Sequence, residues 1–596
     1  MIEFKVPDVG ENIKSGTVTD IFVSEGDTVK KDQELFELET EKAALAVPSP
    51  ANGIIKKILI KKGDEVKIGQ VAVHIEESKF TGAAPAPSPK SETPKASPAK
   101  AAPAPAPSAA KAQPAVSMAT PKEEHIDPKN INIVVIGGGP GGYAAAFLAA
   151  DMGMKVTLVD LEENPGGVCL YRGCIPSKAY LHAAKVLSEA REAKDFGIEF
   201  PQPKIDINKL RSWKNEVVTK LTGGLGQMSK LRKVNFIQGK ASFKNSNTLN
   251  IEKSDGKNEE LNFDKAIVAT GSRPIQLPFL PGSKRLLDST SALELESVPK
   301  NMLLIGGGYI GLELGIVYAE MGTAVSVVEM LPQIMAGADR DIVAVVEKRL
   351  QTLMKEIMVE TKVAGMAETA NGVKVTFEGK SGKKFDKEYE KVLVAIGRKP
   401  NSENLGLENT KAKINARGFI EINAQRRTAD PSIYAIGDVA GNPMLAHKAS
   451  HEGRTAVEAI AGHKVAYEPN ALPAVVFTDP EIAWAGLTET EAKAQGRDFE
   501  IAKFPWAASG RALTLNRSDG LTKLIIDKKT ERILGVAVVG PGAGELIAEG
   551  VLAIEMGAVA TDLKLSIHPH PTLSETVMES AEVFFGQSTH LYRPKR

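Results

Sequence analysis

Short apolar runs that end on glycines recur along the chain from residue 131 onward. The first, Ile131-Asn132-Ile133-Val134-Val135-Ile136, reads as a buried strand; it runs into Gly137-Gly138-Gly139-Pro140-Gly141-Gly142 and then the helical stretch YAAAFLAADMG. A further run, Val156-Thr157-Leu158-Val159, ends at Asp160. The same order returns in Asn301-Met302-Leu303-Leu304-Ile305, Gly306-Gly307-Gly308-Tyr309-Ile310-Gly311, the helical LELGIVYAEMG, and Val325-Ser326-Val327-Val328 ending at Glu329. Two other strands also close on glycine, at Ala269-Thr270-Gly271 and at Ile433-Tyr434-Ala435-Ile436-Gly437-Asp438. Strands alternating with helices predict an α/β fold with parallel sheets, built from two similar units.

The first 79 residues follow a different period. Gly16-Thr17-Val18-Thr19-Asp20-Ile21-Phe22-Val23-Ser24-Glu25-Gly26-Asp27 is matched 37 positions on by Gly53 through Asp64, and Val29 and Gln33 by Val66 and Gln70. Each copy alternates β-formers and ends in a Gly-Asp turn, which predicts two short antiparallel sheets related by a pseudo-twofold. Lys42 lies between the copies in Glu39-Thr40-Glu41-Lys42-Ala43, at a turn halfway through the domain. From about Thr81 to Pro121 the chain is almost wholly Ala, Pro, Ser and Lys, too poor in large apolar side chains to offset ordering entropy. An extended Ala-Pro tether of this kind rises about 3.1 Å per residue, so roughly forty residues reach on the order of 100 Å.

Bulk composition narrows the classes. With 74 basic and 74 acidic residues the 596-residue chain is neutral, which argues against phosphate backbones or anionic membrane as partners. No apolar run approaches a membrane span, and the N-terminus shows neither a signal nor a transit pattern, so a cytoplasmic location is expected. Only two cysteines occur, too few for a disulfide framework. They are five apart in Gly166-Gly167-Val168-Cys169-Leu170-Tyr171-Arg172-Gly173-Cys174-Ile175-Pro176-Ser177-Lys178, just after the first glycine-rich turn, which reads as a redox pair beside a cofactor.

Gly137, Gly139 and Gly142, and again Gly306, Gly308 and Gly311, supply the G-x-G-x-x-G pattern: a tight turn, close approach of backbone to a pyrophosphate, and close helix packing. Asp160 and Glu329 each follow by about twenty residues, where an acid accepts hydrogen bonds from a ribose diol. A carboxylate at Glu329 facing a 2′-phosphate at 4 Å would cost on the order of 4 kcal/mol, so NAD is favoured over NADP at the second site.

In order and spacing these motifs resemble those of the FAD-dependent pyridine-nucleotide disulfide oxidoreductases, from about residue 130 to the C-terminus. The resemblance implies FAD at the first fingerprint, with Thr270, Gly271 and Asp438 also on it and Asp438 on the ribityl chain. It implies that Cys169 and Cys174 form the redox disulfide, Cys169 as the interchange thiol and Cys174 as the thiol beside the flavin. Lys178 would lie near the reactive end of the isoalloxazine and pair with Glu313, a residue grouped by sequence with the second, NAD-binding fingerprint. The string His568-Pro569-His570-Pro571-Thr572-Leu573-Ser574-Glu575 matches the family's HxHPTxxE, making His570 the acid-base residue, oriented by Glu575, of a site completed across a homodimer interface. Tyr171-Arg172 departs from the Asn-containing sequence usual between the cysteines.

The N-terminal repeat, the central lysine and the tether resemble the lipoyl domain family, implying a lipoyl group on Lys42; no Met flanks that lysine, as it does in the biotinyl sister family. The expected organisation is an all-β lipoyl domain over 1–79, a linker over 80–128, an FAD-binding domain over 129–277 completed by about 406–470, an NAD-binding domain over 278–405, and an α+β dimerisation domain over 471–596. The function implied is oxidation of protein-bound dihydrolipoamide with reduction of NAD, in a 2-oxo acid dehydrogenase complex whose lipoylated acyltransferase is the partner. No metal is expected. The alternative is a lipoyl carrier or assembly subunit whose flavin part is vestigial.

Overall fold

The computed structural model describes residues 2–6, 15–29, 33–39, 44–67, 69–77, 127–279 and 282–592, which fall into two units, one within residues 1–119 and one within 120–596. Lys42 and nearly all of the expected linker lie outside the described residues.

The N-terminal unit is all-β. One four-stranded sheet has the order Ile2–Lys5, Val71–Glu77, Gly53–Ile58, Thr28–Val29; the other has Ala44–Pro48, Glu34–Glu39, Ser15–Ile21, Glu65–Lys67. Strands that start the two sequence copies thus sit in different sheets, as a pseudo-twofold requires. Val18, Val29, Phe36, Ile55, Val66 and Ile75 are buried in one core between them. The two Gly-Asp turns repeat in detail, Asp27 accepting from the Ser24 N–H at 2.7 Å and Asp64 from the Lys61 N–H at 2.8 Å.

The larger unit opens with a seven-stranded sheet. Its parallel part runs Asn235–Asn245, Lys155–Asp160, Asn132–Ile136, Lys265–Val268, Ile433–Ala435, and two antiparallel strands extend one edge. The last of these strands returns from far along the chain to close the sheet. A second, all-parallel sheet runs Leu286–Leu287, Lys391–Val394, Asn301–Ile305, Ala324–Val328, Glu356–Met358. After an opening asparagine the central strands of both sheets are apolar because helices or an antiparallel sheet cover each face: Ile133 through Ile136 and Met302 through Ile305 are all buried. A five-stranded antiparallel sheet with helices on one side forms the C-terminal part. Among the described residues no helix is long and apolar enough to cross a membrane.

Candidate active site

Both glycine-rich turns have the backbone their sequences predict. Gly137 and Gly306 sit at φ +103° and +102°, in the region that favours glycine, and a Cβ at either would meet the carbonyl oxygen of Ala269 or Ala395 at 2.4 and 2.5 Å. At Gly142 a Cβ would come within 1.8 Å of the Gly137 carbonyl oxygen, so the helix Pro140–Asp151 packs against its own turn only without a side chain. Gly139 and Gly308 differ. A Cβ there meets at most the Gly167 Cα at 3.9 Å, and neither helix start carries a side-chain cap. Uncapped helix N-termini beside open space are anion sites, and these fit a dinucleotide pyrophosphate.

The acids that follow brace the turns. Asp160 accepts from the Gly138 N–H and, at 2.8 Å, from the Glu162 N–H; Glu329 accepts from Gly307 at 2.7 Å and Leu331 at 2.8 Å. Burial, the largest influence on Asp160, raises its pKa against these hydrogen bonds and the nearby Arg172 charge.

A cavity of about 480 Å³ opens over the first turn, lined by Gly137, Gly139, Asp160, Thr270, Gly271 and Asp438 among others. Its size and concave, mixed lining suit a bound cofactor. Thr270 is locked by a reciprocal pair, its Oγ1 donating to the Asn401 carbonyl at 2.7 Å and Asn401 Nδ2 donating to the Thr270 carbonyl at 3.0 Å. Asp438 accepts from Ser272 Oγ at 2.5 Å. Behind it, the Gly437 N–H donates at 2.6 Å to fully buried Glu452, which pairs with Arg426 at 2.8 Å and Lys448 at 3.0 Å. Sequence reasoning missed this triad, because Lys448 and Glu452 at i, i+4 read as a solvated pair on a helix.

Cys169 and Cys174 line the same cavity and are both free thiols. The helix Gly167–Arg172 stops at Gly173, where a Cβ would lie 2.7 Å from the Val168 carbonyl oxygen, and a new helix, Cys174–Glu192, starts at once. This break turns the second sulfur back toward the first. Cys174 counts as exposed, but the surface it shows lines the cavity. A hydrogen bond from the Cys169 thiol is the main cause that lowers Cys174 to about 7, assisted by the Lys178 charge against burial. The same bond raises Cys169, with burial and the Cys174 charge adding to it. The surroundings are therefore asymmetric, favouring the thiolate at Cys174 and the thiol at Cys169. Replacing Cys169 with Ala is expected to move the midpoint pH for alkylation of Cys174 by iodoacetamide upward from about 7, toward or beyond the ordinary ~8.5. An unchanged midpoint would show that the neighbouring thiol is not what stabilises the thiolate.

Lys178 Nζ pairs with Glu313 Oε2 at 2.7 Å and lies 4.5 Å from the centre of the Phe477 ring, while the Phe477 N–H donates to Glu313 Oε1 at 2.9 Å. Glu313 sits on the second fingerprint's helix and faces the first cavity. It does so because that helix, Tyr309–Glu320, packs against the helix that carries Cys174 and Lys178.

His570 Nδ1 meets Glu575 Oε1 at 2.8 Å, and Glu575 Oε2 accepts from the Thr572 N–H at 2.7 Å. Burial works to raise Glu575, but the Thr572 N–H and His570 outweigh it and hold its carboxyl below the usual range. The His570 side chain is 73% exposed and is not among the residues that line the cavity. Neighbouring His568 is structural in its contacts, only 8% exposed and bonded to Glu549 at 2.7 Å. Near this string Leu552, Met556, Leu565 and Ile567 expose their side chains, Ile567 almost completely. Apolar exposure on this scale marks a surface that associates.

Residues 131–453 match the family described as pyridine nucleotide-disulphide oxidoreductase, and 472–581 match that family's dimerisation domain. Residues 2–75 match a family described as biotin-requiring enzyme. A dihydrolipoyl dehydrogenase of Vibrio parahaemolyticus is 50% identical over 464 residues, covering 78% of this chain and 97% of that protein. One of Geobacillus stearothermophilus is 47% identical over 459 residues, covering 77% and 97%. Among solved structures, LpdA from Mycobacterium tuberculosis superposes with a TM-score of 0.71 at 27% identity, covering 76% of this chain and 100% of that one. The flavoprotein disulfide reductase RclA from Escherichia coli, as its Cu(II) complex, gives 0.68 at 26% identity, covering 76% and 99%.

Proposed function

The chain belongs to the pyridine nucleotide-disulphide oxidoreductase family, and on that premise we propose that it oxidises protein-bound dihydrolipoyl groups and passes the electrons to NAD. The observation that carries this reading is the free thiol pair on the wall of the first dinucleotide cavity, beside Lys178 and Glu313. The family is FAD- and NAD-dependent. FAD in the first cavity would be held by Gly139, Asp160, Thr270, Gly271 and Asp438, and when bound would supply two-electron transfer between the thiols and NAD. NAD is assigned to the second fingerprint, with Gly306, Gly308, Gly311 and Glu329 around it.

The residues divide the thiol work as follows. His570, oriented by Glu575, accepts the proton of a dihydrolipoyl thiol. The resulting thiolate attacks Cys169 Sγ of the oxidised pair, breaking the Cys169–Cys174 bond and releasing Cys174 as the thiolate that its surroundings favour. The second dihydrolipoyl sulfur then displaces Cys169, its proton passing to the departing Cys169 sulfur, and closes the lipoyl ring, leaving Cys169 as the thiol, Cys174 as the thiolate and the first proton on His570. Because His570 is exposed while the cysteines line a cavity of their own chain, the site is read as composite, with His570 supplied by the second subunit of a homodimer.

The N-terminal unit is read as a lipoyl carrier with its group on Lys42, and the complex's lipoylated acyltransferase as partner, in the cytoplasm. A carrier with a vestigial flavin part is not favoured, since the thiols, the Lys178–Glu313 pair and the His570–Glu575 pair are all in place. The FAD-loaded protein should reduce NAD on addition of dihydrolipoamide, and the intact mass of its N-terminal fragment from a lipoylating host should exceed the sequence mass by one lipoyl group. No NAD reduction would overturn the enzyme assignment, and an unmodified fragment the carrier assignment.

A further inference from the structure

The segment between Asp160 and the redox pair is held by the two residues that depart from the family's usual sequence. Leaving its strand at Asp160, the chain passes Glu162, Asn164 and Gly166 before entering the six-residue helix that carries Cys169. So short and uncapped a helix has no stability of its own and depends on tertiary contacts. At its far end the side chains of Tyr171 and Arg172, both partly buried, fold back onto this segment. Arg172 Nη2 pairs with Glu162 Oε1, each side chain about one-third exposed or less. Tyr171 Oη donates to the Asn164 carbonyl at 3.0 Å and accepts from the Asn164 N–H at 3.3 Å.

The segment held in this way also touches the glycine-rich turn. The Gly166 N–H donates to the Gly138 carbonyl at 2.7 Å, and a Cβ on Gly167 would lie 2.5 Å from the Gly139 Cα. Tyr171 packs so closely on Gly166 that a Cβ there would meet its ring at 3.0 Å, and Gly226 on the long helix Ile207–Leu231 leaves the space that the Asn164 side chain fills. Glu162 and Arg172 both line the cavity, and the Arg172 charge is felt at Asp160. One rigid loop therefore carries the ribose acid, a wall of the cavity and the redox helix.

We propose that Tyr171 and Arg172 form a two-point staple that fixes the redox helix to the cofactor-binding loop, making them positioning residues for retention of the dinucleotide in the first cavity. Without the Arg172–Glu162 contact the loop bearing Asp160 keeps only the Tyr171–Asn164 tie to the helix, and the cavity wall loosens on the ribose side. This inference rests on the reading that the cavity holds FAD.

The test is the rate of flavin release from the FAD-loaded enzyme, followed by the rise in free-flavin fluorescence on dilution. Arg172→Met is expected to speed release about tenfold, the order of one charge-assisted hydrogen bond. Glu162→Gln should do nearly the same, and the double variant should be no faster than either single one. Tyr171→Phe, which keeps the ring and removes the hydroxyl, should give a smaller increase. Arg172→Lys, which keeps the charge, should restore most of the retention, a rescue that simple loss of packing would not predict. Unchanged release in both Arg172→Met and Glu162→Gln would overturn the staple, as would additive effects in the double variant. A wild-type protein that holds no flavin would instead overturn the reading of the cavity itself.

Discussion

Replacing His570 with Gln is expected to lower turnover of dihydrolipoamide by about 10²- to 10⁴-fold, the range for loss of a general acid-base group. The variant should keep its oxidation of NADH by a one-electron dye, because that route bypasses proton removal from a thiol. Glu575→Gln should show the same pattern with a smaller loss. Glu575 holds one ring nitrogen of His570 at 2.8 Å and is itself fixed by the Thr572 N–H at 2.7 Å. An amide there keeps the position but cannot offset the charge His570 acquires when it takes the proton. Since the Glu575 pKa lies below its ordinary value, its charge is present throughout the neutral range and is lost only as pH falls through that lowered pKa. A His570→Gln enzyme with full dihydrolipoamide turnover would remove His570 from the mechanism.

The same variant tests where the site is completed. His570 is 73% exposed on its own chain, while Cys169 and Cys174 face a cavity that it does not line. Unfolding and refolding an equal mixture of inactive Cys174→Ser and His570→Gln proteins should restore activity, because a mixed dimer has one site with both groups intact. If each chain assembled its site alone, no mixture would recover activity. The exposed Leu565 and Ile567 beside the histidine string supply apolar area for that association.

What was legible in the sequence was chemistry written locally. The fingerprints could be read because positive φ at Gly137 and Gly306, and contact with Ala269 and Ala395, leave no room for another residue at those positions. Their spacing is a local demand. The cysteine pair was legible because a five-residue interval can close only through a turn, and Gly173 makes one. The surroundings of Glu313 are hidden for the opposite reason: its place in the sequence follows the second fingerprint, whereas its partners, Lys178 and Phe477, come from chain segments more than 130 residues away on either side. Buried charge was the hardest class to see. Nothing in the periodicity of Ala446–Ile460 shows that Glu452 has no exposed surface and holds the backbone next to Asp438, because only the folded chain brings Arg426 and Gly437 to it. Tyr171-Arg172 stood out in the sequence as an anomaly, but its partners, Glu162 and Asn164, gave no sign of themselves there.

A second buried charge of this kind carries the largest stability prediction. Lys523 has no exposed surface and donates to Asp339 at 2.8 Å, Asp341 at 3.0 Å and Glu489 at 3.1 Å, joining the C-terminal antiparallel sheet to the start of the helix Arg340–Leu353. Lys523→Met is expected to destabilise the protein by about 3–5 kcal/mol, the cost of removing one partner from a buried ion pair, seen as a fall in thermal midpoint. The cost comes from what remains: three carboxylates whose oxygens lie within 4.8 Å of one another, with no buried cation between them. In the wild type, burial works to raise Asp339, Asp341 and Glu489, but it is outweighed and all three are lowered: Asp339 first by Lys523, Asp341 by Lys503 together with Lys523, and Glu489 by Lys493 together with Lys523. Their contribution is thus complete at neutral pH and lost as pH falls through the lowered values. Lys523 itself is raised, so its part fails only above about pH 10.4. In the variant the sign reverses. With this cation gone, burial and the neighbouring carboxylates raise Asp339, while Asp341 and Glu489 keep Lys503 and Lys493, and the penalty at Asp339 is relieved by protonation as pH falls. The stability gap between wild type and Lys523→Met should therefore narrow as pH falls from neutrality, and adding Asp339→Asn to the variant should recover part of the loss at neutral pH. A gap that stays constant or widens on acidification would mean that Lys523 stabilises through packing of its alkyl chain rather than through its charge.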